Sequence, residues 1–256
     1  MTRFVAMVST EAKRQLTSPV SWLVVGLFAL LAGAAFVTNL NTFLDASVEA
    51  LSAPPARPVN VNQLLIRPFL AQVGIAALLV LPVITARARR AVEPARGSRE
   101  AAEAAGPHDY RLVLSRFGAV LVIYGVMLLA SLILVVLLSF FGAPEWGPIV
   151  SGYVGLLLIG AAFIAVALFI SSLAMSAMPA ALATFAIALA LAVSTWLAQS
   201  AAAGARPAFR ILSIGAAFDD FAKGVIDAGH IVTCLTIVAV ALFLTVHTLD
   251  PDEQAH

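Results

Sequence analysis

The segment TARARRAVEPARGSREAAEAAGPHDYRLVLSR, Thr85 to Arg116, is the one long charge-rich stretch between apolar runs, and it decides how the chain is arranged. Seven arginines fall in it (Arg87, Arg89, Arg90, Arg96, Arg99, Arg111 and Arg116), together with Glu93, Glu100, Glu103 and Asp109. The sequence on either side is nearly free of charge. Cytoplasmic loops of helical membrane proteins are enriched in Lys and Arg, so this segment sets the orientation of everything that flanks it. It is also the natural handle by which a cytoplasmic partner would hold the helices.

The rest of the composition agrees. Hydrophobic residues make up 61% of the chain and charged residues 11%, and the mean hydropathy is +1.00. A soluble domain is about half apolar and a quarter charged, so this composition belongs to a polytopic membrane protein. The apolar runs are continuous rather than alternating, which predicts an all-α fold and excludes barrel strands. Six spans are expected, at about 20–37, 68–84, 117–141, 149–170, 180–197 and 230–248. They form a single domain over 1–256.

Ahead of the first span, Val5, Val8, Ala12 and Leu16 recur at helical spacing while Arg3, Lys13 and Arg14 take other faces. This predicts a short helix over 2–18 lying in the membrane interface, ended by Ser18-Pro19. Residues 38–67 read as a polar external loop with a short helix near 41–51, and Pro82 predicts a bend near the inner end of the second span. Residues 198–229 form a second external segment. With both termini inside, the cytoplasmic side holds Arg3, Lys13, Arg14 and the seven loop arginines, ten cations in all. The outside holds five: Arg57, Arg67, Arg206, Arg210 and Lys223. The bias fixes the termini in the cytoplasm.

The spans as bounded contain no Asp, Glu, Lys or Arg. Ion-coupled carriers and intramembrane enzymes place ionisable groups or metal ligands at membrane depth, so no catalytic residue, metal site or cofactor site is expected. The four histidines lack ligand spacing and Cys234 is the only cysteine. No basic patch with interleaved aromatics points to nucleic acid. No G-x-x-x-x-G-K-[ST] occurs, so any ATP used on behalf of this chain is hydrolysed by another polypeptide. The small residues Gly152, Gly155 and Gly160 predict close helix packing within one subunit rather than a seam between subunits.

Several pieces together resemble a known family. EAKRQLTSPVSWLV is similar to a charged interfacial helix, Ser-Pro and first span. LPVITARARRAVEPARGSRE resembles a Pro-Ile-Thr helix end followed by Arg and then Gly-Thr-x-Glu, matched by Thr85, Arg87, Gly97, Ser98 and Glu100. PEWGPIVSGYVGLLLIGAAFIAVALFISSL (144–173), FDDFAKGVIDAGHIV (218–232) and TVHTLD complete the order. These are the features of permease subunits of ABC-2-type transporters, especially the gliding-motility-associated branch and its copper-maturation relatives.

The resemblance implies a multi-pass protein of the bacterial cytoplasmic (inner) membrane. It would pair with a second permease copy or a paralogue and be driven by a cytoplasmic P-loop ATPase subunit, with an extracytoplasmic auxiliary protein as a third partner. Within the cytoplasmic coupling loop, 85–116, it implies a coupling helix near 98–105, with Arg87, Gly97, Ser98, Glu100, Glu103 and Asp109 facing the ATPase. The chain departs from the family here. Ala101-Ala102-Glu103-Ala104-Ala105 stands where leucines are usual, forfeiting much of the roughly 1.5–3 kcal/mol that each buried leucine supplies. A degenerate permease serving as a membrane anchor or scaffold is therefore the alternative expectation. On the outer side, Phe218, Phe221 and Val225 share a helical face, and Gly224 permits a break. This predicts an amphipathic or re-entrant element in which Phe218, Phe221, Gly224 and Asp227 form a gate or docking surface. A packed interfacial helix would show the same pattern.

Overall fold

The computed structural model describes residues 13, 17–52, 59–90, 110–174, 176–200, 218, 221–224 and 227–248. Among them there is no strand. Six long helices are present: α1 (Pro19–Ser52), α2 (Arg67–Arg90, entered through a π-helical turn at Asn62–Ile66), α3 (Tyr110–Ser139), α4 (Trp146–Leu173), α5 (Ala177–Ser200) and α6 (Ala228–Thr248). Five are long and apolar enough to cross a bilayer, while the described apolar stretch of α5, Met178–Val193, is shorter. This is the architecture of a multi-pass helical membrane protein.

The helix ends follow from local chemistry. Pro19 occupies the first turn of α1, where a missing N–H costs nothing, and Ser18 O accepts from Ser21 N at 3.1 Å. Asn60 Oδ1 accepts from the amides of Asn62 (2.8 Å) and Gln63 (3.3 Å), capping the turn that leads into α2. Asp227 does the same for α6: its carboxylate takes Gly229 N at 2.8 Å and its carbonyl takes Ile231 N at 3.3 Å.

One sequence expectation changes. The short helix expected near 41–51 is continuous with the first span, so residues 38–52 are not loop. Thr38, Thr42, Ser47 and Ser52 each donate a hydroxyl to the carbonyl four residues earlier, at 2.7–3.0 Å, so their polar groups are satisfied without breaking the helix. α1 therefore reaches Ser52, and at 1.5 Å per residue its 34 residues are about 51 Å long, well beyond the ~30 Å hydrocarbon core. The third helix starts at Tyr110, close to the start near Arg111 that the sequence suggests ahead of the third span, and Arg116 lies inside it, only 9% exposed. α2 runs on through Pro82, with Thr85 Oγ1 donating into the carbonyls of Leu81 and Pro82. The interfacial helix expected over 2–18 falls outside the described residues except at Lys13, Thr17 and Ser18.

The bundle is built on α2 and α4. They pack on each other; α5 packs on both, α1 packs on α2 and α3, and α6 packs on α4 and α3. Of the spanning windows, 67% of the second and 61% of the fourth are buried, against 28% for α1 and 17% for α6. Phe28, Phe69, Leu81, Ile123, Tyr124, Met127 and Ile164 fill the centre.

Candidate functional site

Two ends of the bundle carried the residues of interest, and the structure builds in detail the one expected outside. Phe221 is fully buried, and the reason is Gly155: a Cβ there would come within 2.6 Å of the Phe221 ring. One turn earlier on α4, Ser151 Oγ donates to the Phe221 carbonyl at 2.7 Å. The same carbonyl accepts Gly224 N at 3.1 Å, closing a turn in which Gly224 takes φ +86°. A side chain at 224 would be strained there, and the turn lies against Pro148, 3.5 Å from where its Cβ would sit. Phe218 and Ala222 are buried alongside while Lys223 is exposed, so the segment has one inward face.

Of the four residues predicted for the outer side, Phe221 and Gly224 are thus brought together at the N-terminal end of α4, and Phe218 is buried in the core cluster. Asp227 serves a different end, as the cap of α6. Val225, expected on the same face, is outside the described residues.

The same end holds a further contact that sequence reasoning missed. Asn62 holds the neighbouring connection: its amide nitrogen donates to Glu145 O at 2.9 Å and its Oδ1 accepts Glu145 N at 3.1 Å. The turn before α2 and the turn before α4 are therefore tied by a two-bond clasp. In the sequence Asn62 sits between Asn60 and Gln63, just ahead of the apolar run that begins at Leu64, where it reads as one polar residue of an external loop among several.

Within the membrane, polar side chains join helices. Asn39 Nδ2 donates to Gln72 Oε1 at 2.9 Å (α1 to α2), and Tyr124 OH donates to Leu156 O at 2.7 Å (α3 to α4). Ser131 Oγ and Tyr153 OH lie 3.1 Å apart, and Ser172 Oγ and Thr248 Oγ1 lie 2.7 Å apart (α4 to α6). Such bonds average about 0.6 kcal/mol in membranes, so their work is to set register. Among the described residues, no three His, Cys, Asp or Glu side chains come close enough to hold a metal ion.

At the opposite end, where the sequence continues from α2 into 91–109 and on into α3, the described residues include buried polar side chains. Thr85, Ser115 and Arg116 are all buried. Arg87 lies on the helical backbone of α2, while Gly97, Ser98, Glu100, Glu103 and Asp109 fall outside the described residues.

No family model, curated protein or solved structure matches the chain.

Proposed function

We propose that this chain is the membrane-spanning subunit of a transporter, an exporter of the bacterial inner membrane, moved by a separate cytoplasmic ATPase. In this reading α5 completes a sixth crossing and both termini lie inside. The observation that carries it is the placement of the charged segment. Residues 91–109 join the inner end of α2 to the inner end of α3, and α2 is the most buried of the spanning helices. A force applied to that segment is therefore delivered to the centre of the bundle rather than to its rim. The sequence resemblance supplies the identity of the partner, and the chain's lack of a P-loop requires one.

The rival reading, a degenerate permease acting as anchor or scaffold, rests on Ala101, Ala102, Ala104 and Ala105, which offer a partner little apolar surface. Affinity purification in mild detergent separates the two. The transporter reading expects a stoichiometric P-loop ATPase and vanadate-sensitive ATP hydrolysis. Glu100→Arg should reduce that association, and Ala101→Leu/Ala104→Leu should alter it. A chain that purifies intact with no nucleotide hydrolase overturns the transporter reading and favours the scaffold.

A further inference from the structure

α1 carries a second pattern on the side turned away from its own bundle. Leu23, Leu30, Val37, Leu44 and Leu51 recur every seven residues, and Leu27, Ala34, Asn41 and Val48 recur every seven between them. The alternating steps of four and three make the first set d positions and the second a positions of a heptad. All nine are exposed. The residues with which α1 enters its own core, Val24, Phe28, Ala32, Phe36 and Asn39, lie on the opposite side of the helix.

Lipid can cover the inner part of this face but not the outer part. About 20 residues of α1 suffice to cross the hydrocarbon core, so the turns around Val48 and Leu51 stand beyond it. There Leu44, Val48 and Leu51 are 50%, 67% and 83% exposed, in a stretch, 41–52, whose other exposed side chains are polar: Asn41, Thr42, Asp45, Glu49 and Ser52. Gly26 and Gly33, on the flank of the seam seven residues apart, have open space where a Cβ would be.

We propose that this face is where two copies of the chain pair, α1 against α1, parallel and in register. Copies inserted with one orientation can present α1 only in parallel. Leucine at d with a β-branched residue at an a position favours two strands, and a single Asn at a fixes register and strand number. In register, Asn41 meets its counterpart, and each amide holds both a donor and an acceptor for the other. Asp45 is offset from the seam and faces Leu40 of the second copy in heptad geometry, so no carboxylate opposes a carboxylate. This inference gives a surface to the subunit pairing in the transport reading and rests on that pairing, not on the ATPase.

The test uses the full chain with Cys234→Ser and one new cysteine at a time, in native membranes, with two differently tagged copies co-expressed. Leu44→Cys, Val48→Cys and Leu51→Cys should form disulfides between the two tags at least about ten-fold more efficiently than Thr42→Cys or Glu49→Cys, since bridging needs Cα atoms within about 7 Å. Equal cross-linking at all five positions, or adducts only with another polypeptide, overturns the seam. The mass of the complex in native nanodiscs distinguishes the two failures. Two copies without seam disulfides would place the pairing on another face and leave the transport reading intact, whereas a single copy would remove the pairing from both.

Discussion

α4 and α1 both carry glycines within apolar helices, and the structure treats them oppositely. On α4, Gly152 receives Leu70 from α2, Gly155 receives Phe221 from the outer segment, and Gly160 receives Tyr124 from α3. On α1, Gly26 and Gly33 receive nothing. Small residues in a span therefore do not by themselves mark an interface between chains; what matters is whether the chain fills them itself. By that criterion α4 is the internal keystone, holding α2, α3, α6 and the outer segment. α1 is attached along one edge and leaves the other for something outside the subunit.

The contrast can be broken most decisively at Gly160. A Cβ there would overlap the Tyr124 ring, which is 1% exposed and has no space to move into. Gly160→Ala should cost on the order of 3 kcal/mol, seen as a lower unfolding midpoint in detergent. Phe221→Ala leaves a cavity in the Gly155 notch and should cost a similar amount, about 3 kcal/mol. Its particular signature is faster hydrogen exchange confined to the N-terminal ends of α4 and α6. Tyr124→Phe removes only the hydroxyl that reaches Leu156 O and should cost about 1 kcal/mol. At the small end, Gly26→Ala and Gly33→Ala should leave the isolated subunit within about 0.5 kcal/mol of the parent, because nothing of the chain lies there. If these two changes destabilise the subunit as much as Gly160→Ala does, the distinction between filled and open glycines fails.

The membrane architecture is legible in the sequence because it follows from the length of apolar runs, and five of the six expected spans correspond to helices that can cross. The extent of α1 is not, since polar residues at 38–52 look like a loop until their hydroxyls are seen to turn back onto the helix. The inward face of 218–224 can be read from Phe218 and Phe221. What it packs against cannot, because Ser151 and Gly155 lie some seventy residues away and only tertiary structure brings them to Phe221. Asp227 shows the opposite case. It stands just ahead of an apolar run, a cap signal that the gate or docking expectation passed over, and the structure uses it as the cap of α6.

The central claim is that the charged segment between α2 and α3 is gripped by an ATPase, and one measurement addresses it directly. A photo-reactive amino acid placed at Glu100 and activated in intact cells would capture whatever lies against the segment. The account predicts an adduct with a cytoplasmic P-loop ATPase, lost when Glu93 and Glu103 are both changed to Arg. Adducts confined to lipid or to proteins that bind no nucleotide, with the chain correctly inserted, would contradict it.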